Sequence, residues 1–353
     1  MKAIASLILA LASAVGHADE VDQFAAQFIA SKGIPGLSLA VVRDGTLIKA
    51  GGYGTANLET GMAATPETVY EIGSITKQFT AEAVMLLVEQ GKLALDDGLS
   101  KHLEGLPTAW QALTLRQLLS HTSGLKDWES EHLLSFRREY TPAEFIALLS
   151  PYPLDFAPGT RWAYTNSAYP LLGLVIARAS GTPYDEFVAA RIFKPLGMEA
   201  TRFSRPQEIV PHRAGGYVEE SGQMRKGELL RPRLVEPNGG ILSTVVDLAK
   251  WESVLHSERL LKQASLSQMQ TAVKLTDGSA APSGLGIFVA DVKSHRMLVH
   301  NGSTPGGFSS VIYHYPDDKL TVIVLCNIDR DDAVNVIATH VAGLYVPGLR
   351  NGD

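Results

Sequence analysis

The chain has 353 residues, of which 45% are hydrophobic and 19% are charged, a composition typical of a folded protein rather than a disordered one. Its 31 basic and 37 acidic residues give a net charge of -6. An acidic chain without a long basic run lacks the electrostatic surface of a nucleic-acid-binding protein, so we expect a small molecule or short peptide as substrate.

Residues 1–18 have the pattern of a secretory signal peptide. Lys2 precedes an apolar run from Ala3 to Val15, and the small residues that follow favour cleavage after Ala18. No other stretch reaches the roughly 18 apolar residues of a membrane span. We therefore predict a periplasmic or secreted protein without a membrane span. The alternative interpretation of residues 1–18, an N-terminal helix packed on the core, fits this pattern less well.

Short β-type runs occur near both ends of the chain. Near the start, two runs flank Asp44-Gly45, a dipeptide typical of tight hairpin turns. Because short connections favour antiparallel pairing, we expect both ends to share one sheet, with the single cysteine, Cys326, in its core. The predicted strands are Leu37 to Val42, Thr46 to Ala50, Leu285 to Ala290, Arg296 to His300, Phe308 to Tyr315 and Leu320 to Cys326.

The middle of the chain has a helical pattern. A threonine followed three residues later by an acidic or amide side chain indicates a helix start, and this spacing occurs at Thr114, Thr141, Thr182 and Thr244. Gly181 fits a helix C-terminus. Since no flexible linker separates the β-rich and helical regions, we expect two lobes in contact.

The segment Gly73-Ser-Ile-Thr-Lys opens a helical pattern that runs from Ile75 to Gln90. If Ser74 lies in the first turn, Lys77 lies one turn later on the same face, where its amine can approach the hydroxyl. A lysine with a lowered pKa can take the serine proton, and the helix N-terminus provides positive potential for an oxyanion. Taken alone, a helix cap beside a solvated lysine is an equally good interpretation.

The same spacing recurs at Ser123 and Lys126. This second pair lies in a turn-like segment with a glycine and no helix directly after it. The geometric argument for the first pair therefore does not apply to the second.

Two other short motifs carry polar groups at the ends of predicted elements. Tyr164-Thr-Asn166 precedes a helical pattern; a tyrosine near a lysine can have a depressed pKa and transfer protons, and an asparagine amide can orient a substrate. His300-Asn-Gly302 closes a predicted strand, where glycine lets a substrate backbone approach. Each motif alone has an ordinary structural explanation. No metal-ligand or phosphate-binding motif occurs, so we expect no cofactor and no metal.

In this order, Ser-x-x-Lys at 74 to 77, Tyr-x-Asn at 164 to 166 and His-x-Gly at 300 to 302 resemble the serine β-lactamase and penicillin-binding-protein-like hydrolases. The most similar members are class C β-lactamases, D-Ala-D-Ala carboxypeptidases, and related esterases and D-aminopeptidases. Stretches 118–125, 239–244 and 302–308 share the resemblance. It implies an α/β fold, with an antiparallel sheet from both chain ends (19–80 and 240–353) flanked by helices, and an inserted, mainly helical lobe (81–239).

The resemblance also implies roles for the first two motifs. Ser74 would be the acylated nucleophile, and Lys77 and Tyr164 would share the proton transfers. Asn166 would hold a substrate amide or an equivalent polar group. The active site would lie between the two lobes.

The third motif would contribute substrate binding. Gly302 would stand beside the substrate, and the backbone amides of Ser74 and Ser303 would form the oxyanion hole. The family's lactamases usually carry Lys-Thr-Gly or Lys-Ser-Gly here, so His300 replaces a permanent cation. An ordinary histidine has a pKa of about 6.5, and we expect His300 to bind a substrate carboxylate only at mildly acidic pH.

The sequence thus predicts an exported serine hydrolase that cleaves an ester or a D-amino-acid-containing peptide or amide bond through an acyl-enzyme on Ser74. One alternative is a class C-like β-lactamase. A second is a non-catalytic penicillin-binding receptor, which would be acylated without deacylation. The oligomeric state and the physiological substrate stay open.

Overall fold

A computed structural model describes residues 20–205, 207–228, 233–255 and 257–350. The predicted signal peptide, residues 1–18, lies outside these residues. The strands are β1 (Gly36–Arg43), β2 (Thr46–Asn57), β3 (Met62–Ala63), β4 (Tyr70–Glu71), β5 (Arg202–Phe203), β6 (Tyr217–Glu220), β7 (Gln223–Lys226), β8 (Ile241–Ser243), β9 (Phe288–Val292), β10 (His295–Thr304), β11 (Phe308–Tyr315) and β12 (Leu320–Cys326).

Seven of these strands form one antiparallel sheet in the order β3-β2-β1-β12-β11-β10-β9. The C-terminal strand β12 lies between β1 and β11, so both chain ends share the sheet, as the sequence predicts. β4, β8 and β5 form a smaller sheet, and β6 pairs with β7. The fold is therefore the expected mixed α/β fold with a large antiparallel sheet.

Helices cover both faces of the large sheet. On one face, β1 and β12 contribute Leu39 and Val324 to an apolar cluster with α11, and on the other they contribute Ala40 and Ile323 to a larger cluster. A strand that is buried on both faces has a continuous apolar sequence, and for this reason β1 and β12 can be recognised from the sequence. The helices are α1 (residues 20–32), α2 (Thr76–Glu89), α3 (Leu115–Leu119), α4 (Pro142–Leu149), α5 (Ala168–Ser180), α6 (Tyr184–Val188), α7 (Lys194–Leu196), α8 (Glu236–Gly239), α9 (Val245–Glu252), α10 (Gln263–Gln270) and α11 (Asp331–Tyr345).

The larger cluster continues from the sheet into the inserted helices, where it includes Phe145 and Val175. The inserted helices are therefore packed against the sheet rather than tethered to it. The boundaries of the two lobes, at residues 80 and 240, stay a prediction. Among the described residues, no helix has the length and apolar character needed to cross a bilayer.

Most of the predicted helix starts are confirmed. Thr114 and Thr141 form complete capping boxes, and the Thr244 hydroxyl accepts the Asp247 N–H at 3.0 Å. The prediction for Thr182 is wrong, because Pro183 takes the cap position and α6 begins one residue later than a threonine cap requires. Proline has a fixed φ and no N–H, which suits it to a helix entry.

Several strand boundaries also differ from the prediction, and β2 continues beyond Ala50 to Asn57. β9 begins at Phe288 rather than Leu285, and β10 continues beyond His300 to Thr304. The third motif therefore lies inside a strand and not after it. β9 pairs with β10 only as far as Val299, which leaves the following residues of β10 paired to β11 on one side.

The buried side chain of Asn327 ties β12 to the N-terminal strands. Its Oδ1 accepts the Gly36 N–H at 2.8 Å, and its Nδ2 donates to the carbonyl oxygens of Thr55 and Ala56 at 3.0 Å. Asn327→Ala leaves these buried groups unpaired, so we expect it to lower the free energy of unfolding by about 3 kcal/mol in urea titrations.

Asn57→Ala is the matched control. The Asn57 Oδ1 accepts the backbone N–H groups of Glu59 and Thr60 in an exposed turn, where water can replace it. We expect Asn57→Ala to lower the free energy of unfolding by less than about 1 kcal/mol. Equal losses of unfolding free energy in the two variants would contradict the conclusion that the Asn327 side chain stabilises the contact between β12 and the N-terminal strands.

Candidate active site

Ser74 lies in a single 3-10 turn, Gly73–Ile75, that leads directly into α2. Gly73 has a φ of +50°, and a Cβ atom there would stand 2.8 Å from the carbonyl oxygen of Ser303 and 2.9 Å from its nitrogen. Glycine is required because both the backbone conformation and the space exclude a side chain. The turn that carries Ser74 is thereby packed directly against β10.

The amine of Lys77 is fully buried beside Ser74. Its Nζ lies 3.0 Å from Ser74 Oγ, 2.9 Å from Asn166 Oδ1 and 2.9 Å from the carbonyl oxygen of Asn238. Burial lowers the pKa of Lys77 to about 7, against the opposing effect of nearby carboxylates. When the amine is neutral, its two hydrogens satisfy the two asparagine acceptors and its lone pair can face the serine hydroxyl.

The hydroxyl of Tyr164 approaches Ser74 from another element, the loop before α5. It donates to Ser74 Oγ at 2.8 Å. Burial raises the pKa of Tyr164, and this outweighs the opposing hydrogen bond to Ser74. The expectation of a depressed tyrosine pKa is therefore wrong, because the Lys77 amine lies 5.0 Å from the centre of the ring and does not compensate for desolvation. Tyr164 is a protonated donor.

His121 supports the segment that carries Tyr164. Its Nδ1 accepts the Thr165 N–H at 3.2 Å, and its ring centre lies 4.5 Å from that of Tyr164. Burial lowers the pKa of His121 well below its usual value, so the ring is neutral. This residue belongs to stretch 118–125, which the sequence marks only through the family resemblance.

The amide of Asn166 is held by several groups in this structure. Its Oδ1 accepts from Lys77 and, at 3.3 Å, from Asn238 Nδ2, while its own Nδ2 donates to Glu129 at 2.5 Å. Its backbone N–H donates to Asp127 at 2.7 Å. Asn166 therefore orients Lys77, and its predicted contact with substrate stays a prediction.

Three members of this network, Asp127, Glu129 and Asn238, are missed by sequence reasoning. They lie on a loop after α3 and in the short helix α8, outside the three motifs. No local pattern marks them, because their importance comes only from the fold that brings them to Lys77.

His300 is 1% exposed and lies within β10. Its ring stacks on Phe288 at a centre-to-centre distance of 4.7 Å, and its Nδ1 donates to the Asn301 carbonyl oxygen at 2.7 Å. Burial, with repulsion from Lys77, lowers the pKa of His300 to about 3. The expectation that it charges at mildly acidic pH is therefore wrong, since a desolvated imidazole resists protonation.

Gly302 and Ser303 follow in the same strand. A Cβ atom on Gly302 would stand 2.1 Å from the Ile72 carbonyl oxygen, so the glycine is needed where β10 packs on the residue before the Ser74 turn. The Ser303 hydroxyl donates to Asp329 at 2.6 Å. The substrate contact of Gly302 and the oxyanion hole of Ser74 and Ser303 stay predictions.

The second Ser-x-x-Lys pair is not brought together as a site. Ser123 is buried, and its hydroxyl accepts the Leu125 N–H at 3.3 Å. The Lys126 amine instead lies near the carboxylates of Glu131, at 3.0 Å, and Asp155, at 3.4 Å. Only the first pair has the geometry of a nucleophile beside a base.

A cleft with two arms opens at Ser74. Both arms are lined by Ser74, Glu129, Asn166, Ser303 and Pro305. The smaller arm has a cavity volume of about 40 Å³ and is also lined by Trp128, Phe136, Val235 and Glu236. The acidic arm has a cavity volume of about 560 Å³ and is also lined by Tyr164, Phe288, His300, Asp329 and Asp331. In the described part of the chain, no three His, Cys, Asp or Glu side chains are grouped so as to hold a metal ion.

Comparison with known proteins finds penicillin-binding proteins and a D-aminopeptidase among the relatives. Penicillin-binding protein 4* of Bacillus subtilis (strain 168) is 29% identical over 82% of this chain and 68% of that protein. A D-aminopeptidase of Brucella anthropi is 29% identical over 84% of this chain, which spans 56% of that protein. Among solved structures, the octameric penicillin-binding protein homologue from Pyrococcus abyssi matches with a TM-score of 0.80 and 29% identity, over 93% of this chain and 77% of that chain.

A family model described as Beta-lactamase matches residues 21–345. Because this match covers most of the sequence, the chain belongs to the Beta-lactamase family of serine hydrolases.

Proposed function

We propose that this serine hydrolase cleaves an ester or a D-amino-acid-containing peptide or amide bond through an acyl-enzyme on Ser74. One observation carries the proposal: Ser74 Oγ lies 3.0 Å from the Lys77 amine and 2.8 Å from the Tyr164 hydroxyl. Nucleophilic catalysis by serine needs a base and a proton donor at the same oxygen. The similarity to a D-aminopeptidase supports the substrate class.

Acylation begins with the neutral Lys77 amine. It takes the hydroxyl proton while Ser74 Oγ attacks the substrate carbonyl carbon, so that a C–O bond forms and the carbonyl oxygen becomes an oxyanion. The backbone amides of Ser74 and Ser303 are proposed to stabilise that oxyanion. The contact between Gly73 and Ser303 supports this role, because it brings the two backbone segments together.

Collapse of this intermediate breaks the bond to the leaving group. Tyr164 donates its hydroxyl proton to the departing oxygen or nitrogen, and the Lys77 ammonium returns a proton to the tyrosine. Water then attacks the acyl-enzyme and gives its proton to the same Lys77–Tyr164 pair. Ser74 departs from the acyl group and recovers its hydrogen.

We expect Ser74→Ala to reduce ester turnover at least about 1000-fold, because the covalent path is lost while the fold is kept. Ser123→Ala is the matched control, since it removes the serine of the other Ser-x-x-Lys pair. Turnover of p-nitrophenyl acetate and peptide mapping after fluorophosphonate labelling measure both. A label on Ser123, or normal turnover by Ser74→Ala, would refute the assignment.

The rate should depend on pH through Lys77. Its pKa is lowered to about 7, and only the neutral amine accepts a proton, so kcat/KM for a neutral ester should rise with pH and level off above about 7. His121 and His300 stay neutral in this range because burial lowers their pKa values, and they add no further step. A flat profile between about pH 5.5 and 9 contradicts the base role.

A pair of variants tests whether the rise of kcat/KM with pH is caused by the titration of Lys77. The Glu129 carboxylate raises the pKa of Lys77, so Glu129→Gln should move the midpoint of the profile to lower pH. Glu131→Gln removes a carboxylate that pairs instead with Lys126, and the midpoint should stay in place. A shift to higher pH in Glu129→Gln is incompatible with the assignment.

We also propose that the protein is exported, on the basis of the charge, apolar run and small residues within positions 1–18. Cleavage after Ala18 gives a mature chain that begins at Asp19. N-terminal sequencing of the protein recovered outside the cytoplasm of a bacterial host should read Asp-Glu-Val. Retention of Met1 in a purely cytoplasmic product would disprove export.

A further inference from the structure

The charged side chains that line the acidic arm of the cleft are all carboxylates. Glu129, Asp329 and Asp331 line it, and its described lining residues include no lysine or arginine. None of these three carboxylates forms an ion pair with a described lysine or arginine side chain. The guanidinium of Arg330, between the two aspartates, instead donates to the carbonyl oxygen of Lys32 and pairs with Glu219.

The three carboxylates influence one another across the same space. Burial raises the pKa of Glu129, repulsion from Asp127 and Asp329 adds to the effect, and Lys77 and His132 oppose it. Burial likewise raises the pKa of Asp331, with a further contribution from Asp329. A cation placed in the arm would relieve this repulsion.

His300 provides an independent observation that does not depend on charge. Because its Nδ1 donates to a carbonyl oxygen, the neutral ring carries its proton there and Nε2 is left as an acceptor. Nε2 is buried and has no hydrogen-bond partner among the described residues, although His300 lines the acidic arm. An unpaired buried acceptor is costly, and a donor on a ligand would satisfy it.

From these observations we infer that the acidic arm binds an ammonium group, so that the enzyme selects substrates with a free amine near the scissile bond over those with a carboxylate there. An ammonium offers three N–H donors and a positive charge, which matches the acceptor nitrogen and the carboxylates. A substrate carboxylate would place acceptor against acceptor and like charge against like charge. The inference rests on the proposed function, since it assigns the substrate class of the same cleft.

Ligand binding to the full-length Ser74→Ala variant tests the inference without turnover. The two probes are D-alanyl-p-nitroanilide and its N-acetyl derivative, in which a neutral acetamide replaces the ammonium group, and their dissociation constants are measured by calorimetry at neutral pH. We expect the free amine to bind at least about tenfold more tightly. Equal binding, or tighter binding of the acetylated probe, overturns the inference.

A matched pair of variants locates the effect. Asp331→Asn, made in the Ser74→Ala background, should reduce the preference for the free amine about threefold or more. Asp332→Asn removes the neighbouring carboxylate from the same first turn of α11, but Asp332 does not line the cleft, so the preference should be retained. An equal effect of both variants would assign the preference to general charge and contradict the acidic arm as the binding place.

A separate assay distinguishes failure of the proposed function from failure of the amine site. Wild-type turnover of p-nitrophenyl acetate tests the nucleophile and contains no amine. Ser74-dependent ester turnover with equal binding of both probes would keep the hydrolase and overturn the amine site. If ester turnover is absent but the free amine binds tenfold more tightly, the amine site is kept and the hydrolase function is overturned.

Discussion

The desolvation of one amine governs the chemistry of this site. Lys77, in the first turn of α2, is buried with three hydrogen-bonding partners, and burial brings its pKa from 10.5 to about 7. That difference corresponds to roughly 5 kcal/mol of free energy at neutral pH. The unfolded chain keeps the proton that the folded chain gives up, so this contribution to stability becomes more favourable as pH rises from about 7 towards 10.5. The rest of the fold must offset the cost.

The same burial acts on the other groups around Ser74, and in each case it favours the neutral form. The pKa of Tyr164 is raised and that of His300 is lowered. Above about pH 7 the serine is therefore surrounded by uncharged donors and acceptors with distinct tasks, while the carboxylates of Glu129, Asp329 and Asp331 line the cleft around them. Proton transfer is placed next to the nucleophile and the proposed amine recognition at the wall of the cleft, and Glu129 contributes to both.

Much of this organisation can be predicted from the sequence. Apolar runs identify β1 and β12, and threonine caps identify α3, α4 and α9, because these signals are local. The proximity of Ser74 and Lys77 follows from their spacing. The network of Asp127, Glu129 and Asn238 could not be predicted, since it exists only where the loop after α3 and the helix α8 meet Asn166. The pKa values of Tyr164 and His300 were also beyond reach, because burial, rather than residue type, determines their direction.

The position of β12 in the sheet has a consequence for the way the chain acquires its structure. Gly36 and Asn327 are hydrogen-bonded partners that stand 291 positions apart, and β12 pairs with both β1 and β11. During synthesis, β1 and β2 can form only a hairpin with an open edge until nearly the whole chain has emerged, and contacts of such long sequence separation form slowly. The sheet that supports the Ser74 turn is thus among the last parts to be completed.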